Sequence, residues 1–511
     1  MKKIVMLCLL AINVYSFAQT AKLSALSANK FLASEIVYDD NGYDVYGYFL
    51  LYDAGDESKG VYRYEYVLLD KNLNKMASGD FSQERVDSIS LMADYVTTKP
   101  LYVTKKGEVL YFNFPDTIKG DEIMYSLRTL SLKDFKVSEP TYIRNNSPVK
   151  QNVGRFKRKD MEAFQYLVPT KNGGFLVYDE TLMDASMRIF MGRGVAKTIK
   201  SFRFLDMDLK EKWRFEYDHT DENSYYDYYY LNGDGNDMVF VKSQFQKSGN
   251  KRKTHEYEVI DAQTGIKKFS LSSSDPQNLL RFKRWIFEDH KIVTYAAITT
   301  LNDKDVFLDK EVMGYVKIMF DRKTGKELGR DYFRWTDLSD KFPIDAFGKI
   351  KDYGFIQFLD FNRTTDGKTI VIGEGYSKER NSIIKDLFVF VFDDQMKLAD
   401  YHKVEKHQND GPISAHGGYL QQIGAFDYMY SQKLPGGGNV FYYMDNENKS
   451  VRKPSWVLGV ITYAENKFDF QKVTLTTQKG QIYPLKAKNG YILLREDTDK
   501  DSELRLEKIN Y

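Results

Sequence analysis

The chain has 511 residues, and its 74 Lys and Arg stand against 72 Asp and Glu. That balance excludes the strongly basic character by which a protein grips nucleic acid or an acidic membrane surface. Tyr and Phe are heavily used at 38 and 34, Pro is scarce at 11 and cysteine occurs once; this composition suits half-buried strands and leaves no pair of thiols for a disulfide or a thiolate metal site.

The N-terminus reads as a signal peptide over residues 1–18. Lys2 and Lys3 make a positive start, residues 4–17 are mostly apolar, and Ser16-Phe17-Ala18 places small residues at a cleavage site, so the mature chain is expected to begin at Gln19. Export to the periplasm or the cell exterior follows from this reading. Cys8 lies within the apolar stretch rather than after it, so it reads as a small apolar residue and not as a lipid anchor. No later run of about 18 apolar residues occurs, so no transmembrane segment is expected after signal removal.

From there two turn signals alternate along the chain. The first is a turn of Gly, Asn or Asp followed by a strand of β-formers. It occurs at Asn41-Gly42, Lys106-Gly107, Gly173-Gly174, Gly235-Asn236-Asp237, Glu288-Asp289-His290, Asp366-Gly367, Gly436-Gly437-Gly438 and Asn489-Gly490. The second is an apolar strand ending in a short polar turn. It is found at residues 64–70, 202–205, 257–261, 315–321 and 388–393, with weaker copies at 126–132 and 457–463. In its clearest forms, Asp261 to Gly265 and Asp321 to Gly325, Asp opens the turn by binding its own downstream amides and Gly closes it.

Units of about four strands repeating every roughly 50 to 80 residues describe propeller blades. The arrangement resembles the β-propeller superfamily over nearly all of residues 30–511, and is similar to exported propeller-like proteins of bacteria. It has neither Trp-Asp blade endings nor a sialidase-type Asp-box, and the resemblance implies a fold and no activity. The expected fold is all-β, a propeller of about eight four-stranded blades with seven as the alternative, forming a single domain over residues 19–511. Closure is expected through pairing of the N- and C-terminal strands, with the segment around residues 21–36 completing the C-terminal hairpin. Two successive β-sandwich or barrel domains would need a linker, and no Pro-, Gly- or Ser-rich break is present. Three longer insertions, residues 180–200, 335–353 and 407–430, decorate this scaffold at positions where loops tend to carry function.

Candidate sites are few. Asn232-Gly233-Asp234-Gly235-Asn236-Asp237 alternates oxygen side chains with glycine, and Asn232, Asp234, Asn236 and Asp237 resemble the calcium loops of integrin-type propeller repeats. Tyr230 stands where those loops open with Asp, and the same residues also suit a tight hairpin turn. Tyr225, Tyr226, Tyr228 and Tyr229 offer a stacking surface for a sugar or peptide, and Trp335 opens one of the long insertions. Adjacent aromatic residues in a strand face opposite sides, which also fits packing between blades. Asp497, Asp499 and Asp501 alternate without the glycine and late glutamate of a calcium hand, and His402, His407 and His416 have no shared-ligand spacing. No nucleophile elbow, P-loop or dinucleotide fingerprint occurs. The function expected is a non-catalytic exported binding or scaffold protein that recognises a protein, peptide or glycan through loops on one face. The alternative is a propeller enzyme, a hydrolase or a glycan-active enzyme, with residues gathered at the central channel.

Overall fold

A strand whose apolar residues run without interruption has to bury both faces, whereas strict alternation buries one. The strand Lys291–Thr300 (KIVTYAAITT) is of the first kind: residues 292–299 are all buried. Ile292, Ala296 and Ile298 enter one hydrophobic cluster and Val293, Tyr295 and Ala297 another. A sheet built around such strands therefore needs a neighbour on each side.

The computed structural model describes residues 19–40, 44–58, 61–84, 102–118, 122–144, 147–150, 168–171, 173–178, 201–217, 224–246, 251–272, 275, 277–300, 312–434, 437–448, 455–475, 480–498 and 501–509. The chain divides into two compact units, one of Met1–Pro140 with Thr476–Tyr511 and one of Thr141–Leu475. Among the described residues nearly all regular structure is antiparallel strand. No described helix is long and apolar enough to cross a membrane.

The first unit holds two sheets; the larger reads as two runs of strands, called sheets I and II, joined by a single parallel pairing of Tyr38 with Thr104. Sheet I is a meander of Lys30–Tyr38, Val45–Ser58, Val61–Asp70 and Lys75–Glu84. Sheet II contains Tyr102–Lys106, Val109–Ile118 and Glu122–Ser131, with Val137 bridging to Leu130. Sheet VIII is made of Gly480–Lys486, Tyr491–Thr498 and Ser502–Lys508, and its fourth strand is Gln19–Lys22 from the other end of the chain. Gln19 faces Leu506 and Lys22 faces Glu503. The expected pairing of terminal strands is thus present, but over a shorter segment than residues 21–36. A single helical turn, Leu23–Leu26, ends the strand, its Leu23 carbonyl accepting from the Tyr52 hydroxyl at 3.1 Å. Lys30–Tyr38 then begins sheet I.

The second unit holds five four-stranded meanders. Sheet III comprises Val168–Thr170, Gly174–Tyr178, Ser201–Leu205 and Glu211–Glu216, and sheet IV Ser224–Gly233, Asp237–Gln246, Lys251–Asp261 and Lys267–Ser272. Sheet V comprises Asn278–Phe287, Lys291–Thr300, Val312–Asp321 and Glu327–Arg334. Sheet VI is built on Gly354–Arg363, Thr369–Lys378, Ser382–Phe392 and Leu398–Val404, and sheet VII on Tyr428–Lys433, Asn439–Asn448, Ser455–Ala464 and Lys467–Thr474. Every one of the eight first-signal turns falls between the first and second strands of a sheet, although Asn41, Gly42 and Gly436 themselves lie outside the described residues. The second signals are the third strands.

Turns from third to fourth strand take two forms. In the five-residue form, Asp261 and Asp321 accept from the amide and hydroxyl of Thr264 and Thr324, and Gly265 and Gly325 adopt φ of 71° and 70°. In the shorter form, Asp70, Asp206 and Asp393 bind two downstream amides, and Leu73, Leu209 and Met396 take positive φ near 60°. Left-handed backbone costs a leucine or methionine roughly 1–2 kcal/mol. These three side chains are buried, and burying an aliphatic side chain returns about as much.

In the second unit four hydrophobic clusters of described residues join consecutive sheets, while another packs Leu420 of the 407–430 insertion on Tyr376 and Ile384 of sheet VI. Phe202, Trp213, Tyr228 and Phe240 join III to IV, and Tyr257, Trp285 and Ile318 join IV to V. Tyr315, Trp335, Phe358 and Phe390 join V to VI, and Ile370, Val389, Phe441 and Ile461 join VI to VII.

Candidate functional site

In sheets IV to VII the first strand breaks register once: between Tyr230 and Asn232, Phe282 and Arg284, Phe358 and Asp360, and Tyr428 and Tyr430. A bulge takes a backbone amide out of the ladder, and a buried amide must find another acceptor. Three of these amides find a phenol on the preceding sheet. Tyr230 donates to the Tyr178 hydroxyl at 3.1 Å, Phe282 to Tyr257 at 3.3 Å and Phe358 to Tyr315 at 3.4 Å. At sheet VII the acceptor is a carboxylate instead. Tyr428 donates to Glu374 Oε2 at 3.1 Å, and Asp427 donates to Oε1 at 3.2 Å.

Replacing a neutral phenol with a buried charge demands a counter-charge. Lys406 supplies it, with Nζ 2.9 Å from Glu374 Oε1 and 2.5 Å from Asp427 Oδ2. The side chains of Glu374 and Lys406 are both 0% exposed and that of Asp427 15%. Asn409 Nδ2 adds a donor to Asp427 at 2.7 Å. Burial pushes the Glu374 carboxyl up to about 7 against the downward pull of Lys406, with Asp427 adding to the rise. Burial alone would lower the Lys406 ammonium, but its two carboxylates outweigh that and hold it above its ordinary value.

The cluster sits at the base of the long connector between sheets VI and VII. Lys406 is near its start and Asp427 near its end. Asn409–Asp410 pairs with Ile383 and Ile384 of sheet VI. The helix Gly417–Gln422 docks on the same sheet: Gly417 N donates to the Tyr376 hydroxyl at 2.9 Å, and Gln421 Nε2 donates to the Leu359 carbonyl at 3.2 Å. A Cβ at 417 would lie 2.4 Å from Gln357 Oε1, so a larger residue there would have to move the Gln357 side chain. Next along the chain, Asp360 accepts from the hydroxyls of Tyr428 and Ser431 at 2.6 Å each. Burial, with Asp360 alongside, raises the Tyr428 phenol well above its ordinary value. His407 turns the other way, its amide donating to Asp445 of sheet VII at 2.9 Å. Glu374, Asp360, Asp427 and Asp445 are thus engaged by amides, hydroxyls or lysine, an arrangement that holds a loop in place.

The residues singled out in the sequence are scattered. Trp335 is 1% exposed; its indole donates to the Val312 carbonyl at 3.0 Å and packs on Phe333 and Phe358. It therefore belongs to the core between sheets V and VI and has no face open to a ligand. Tyr228 is buried against Phe202 and Tyr217, and Tyr229 is half-buried. Tyr225 and Tyr226 pair in the ladder with Phe245 and Gln244, and their side chains lie outside the described residues.

Asn232, Asp234, Asn236 and Asp237 do form the hairpin turn of sheet IV. Asp234 accepts the amides of Asn236 and Asp237 at 2.9 and 3.0 Å. Both carboxylates also meet cations of the protein: Arg322 lies 2.6 Å from Asp234 and 2.5 Å from Asp237, and Lys268 2.7 Å from Asp237. A calcium ion would have to displace that guanidinium. Among the described residues no group of three or more His, Cys, Asp or Glu is placed to hold a metal. Asp501 caps the N-terminal helical turn by accepting from Ser24 N at 3.2 Å. His402, His407 and His416 go separately to Asp400, Asp445 and Lys378. Insertion 180–200 lies outside the described residues.

Glu374 and Lys406 were not anticipated from the sequence. The signal available was Glu374 itself, an ionisable residue inside the buried run TIVIGEGY.

Comparison with known proteins places no activity on this site. No curated protein matches the chain. The chain is similar to the solved WD40 domain of SCAP from fission yeast at 8% identity, over 97% of this chain and 98% of that one, with a TM-score of 0.35. Against polysaccharide lyase Uly1 the values are 11% identity, 96% and 99% coverage and a TM-score of 0.36. Against a protein of unknown function from Dyadobacter fermentans they are 9%, 88%, 100% and 0.30. These TM-scores are low, and the fold described above rests on the strand pairing itself. The model of the Family of unknown function (DUF6770) matches residues 197–384 and 380–510, more than half of the 511 residues, and the chain belongs to that family.

Proposed function

We propose that this is an exported, non-catalytic binding protein, a β-propeller in which the successive strand meanders act as about eight blades of one domain, and that it recognises a protein or peptide through the connectors on sheet VI. The observation that carries the reading is the pair of connectors at residues 335–353 and 405–427. Each is anchored to sheet VI by its own contacts. The first is held by Trp335 and by the pairing of Lys349 with Phe355; the second by Glu374, Lys406 and Asp427. From these anchored loops Phe347, Ile413 and Ile423 stand 42%, 41% and 41% exposed. Singly exposed apolar side chains are common on protein surfaces; what supports binding here is that three of them stand on the two connectors anchored to sheet VI. Export rests on residues 1–18.

A photo-reactive residue at Ile413 tests the binding surface, with the same residue at Glu465 as control. An adduct of discrete mass is expected at 413 alone. It should be lost when Phe347, Ile413 and Ile423 are changed together to Asp in a chain whose circular dichroism is unchanged. Equal labelling at both sites, or an adduct that survives the triple change, removes the reading. Sequencing the N-terminus of the protein recovered outside the cytoplasm should return Gln19, and an intact Met1 there would overturn export by cleavage.

A further inference from the structure

The neck of the 405–427 connector holds two carboxylates and one ammonium in a dry setting. Lys406 can neutralise one of Glu374 and Asp427 but not both. We propose that these three residues form a proton-operated clasp on the connector, shut when one carboxylate carries a proton and slackened when both are ionised. This regulation rests on the binding reading above, since the connector carries two of the three apolar side chains assigned to the partner.

The geometry is that of a closure. Residues near the two ends of a long insertion meet each other, Lys406 Nζ to Asp427 Oδ2, and both meet Glu374 on the underlying sheet. Asn409 adds a second tie to Asp427, and between the two ends Ser382 holds Gly411, Ile413 and Ala415 while Tyr376 holds Gly417, so the clasp acts at the neck. The charged and titratable groups around the neck are already committed elsewhere. On sheet VI and the connector before it, Tyr353 donates to Asp386 at 3.1 Å, Lys403 pairs with Asp386 at 3.0 Å and Lys385 covers the Tyr353 ring. On sheet VII the Tyr428 hydroxyl goes to Asp360, while His407 and Lys472 face Asp445. None of these described groups brings a second cation to Glu374. The second carboxylate, Asp427, adds to the demand for a proton, and the Tyr428 amide opposes it.

A carboxyl that holds its proton more tightly in the closed form than when hydrated stabilises that form at low pH. The Glu374 carboxyl stands raised to about 7 when enclosed. Its contribution is therefore complete below the ordinary carboxylate range and is lost as pH rises through neutrality. The clasp tightens in mild acid and loosens in alkali, the reverse of a surface salt bridge. Opening lets water reach the ionised pair and slackens the connector at its neck, around the bonds that Ser382 keeps to Ile413 and Ala415.

Because Cys8 is the only cysteine and lies in the leader, a single cysteine introduced as Ser414→Cys takes a fluorophore uniquely in the processed chain. Anisotropy of that label, followed from about pH 5.5 to about pH 9, is expected to fall with a midpoint near neutrality. Glu374→Gln removes the excess charge and should abolish the transition while leaving far-ultraviolet dichroism unchanged; a label at Glu465→Cys should show none. A flat profile at Ser414→Cys, or an unchanged transition in Glu374→Gln, overturns the clasp. No partner is needed for this measurement. A titrating label with no photo-adduct would sink only the binding reading, and an adduct formed equally at both pH extremes with a flat label would sink only the clasp.

Discussion

Arg322 shows how one side chain can take the place of a bound ion. It stacks beside Phe287, donates to the Glu288 carbonyl at 3.0 Å, and closes on Asp234 and Asp237 of the preceding sheet. Arg322→Ala leaves buried Asp237 with Lys268 as its one remaining cation among the described residues, so it should lose about 1–3 kcal/mol in chemical denaturation. The parent chain should melt at the same temperature with calcium and with chelator, because an ion bound only to the native form would raise the midpoint. Gly325 makes a second test. Its φ of 70° disfavours a side chain, and a Cβ would fall 2.7 Å from Phe269 Cβ, so Gly325→Ala should cost about 2 kcal/mol. Asp321 titrates in the opposite sense to Glu374. The Thr324 hydroxyl, together with the Thr324 and Lys323 amides, holds its carboxyl below the usual range. Its share of stability is present above that range and disappears as acid protonates it, so Asp321→Asn should flatten the acid limb of the denaturation profile. Asp at turn entrances was readable from the sequence because the bonds it makes are local. The Arg322 pairing was not readable, since its partners lie more than eighty residues away in sequence.

At the scale of the element, connectors are held by what they bury. Trp335 opens residues 335–353 and fills the space between sheets V and VI, so Trp335→Ala should cost about 3–5 kcal/mol and release the connector to proteolysis at its Lys residues. A Trp335 in contact with ligand would instead leave stability nearly unchanged and alter binding. Strands and their turns were legible because a turn of Gly, Asn or Asp followed by β-formers is a short-range signal. The αL turns of the shorter form were less so: Leu73, Leu209 and Met396 look like ordinary apolar residues until their backbone is seen. The bulge amides explain why Glu374 was missed. Its role is defined by a gap in another sheet, and three neighbouring sheets meet the same need with tyrosine.

Over the whole chain, the single-domain proposal predicts one cooperative unfolding transition in calorimetry of the processed protein; two resolved transitions would show that Met1–Pro140 with Thr476–Tyr511 and Thr141–Leu475 melt independently. Repeat and fold class were visible because they are written again and again. Which segments cluster into compact units was not, because it depends on contacts between residues far apart in sequence.

The strand Gln19–Lys22 faces residues 503–506. On the export reading proposed above, a polypeptide threaded through a translocation pore behind residues 1–18 would keep residues 19–22 waiting until the final ribbon has followed them. Sheet VIII is then the last to be completed, and the open edge of Ser502–Lys508 stays available to any passing strand in the interval. Deleting residues 19–22 should make that interval permanent, lowering the melting midpoint by about 5 °C and turning a monodisperse sample into one that grows with concentration.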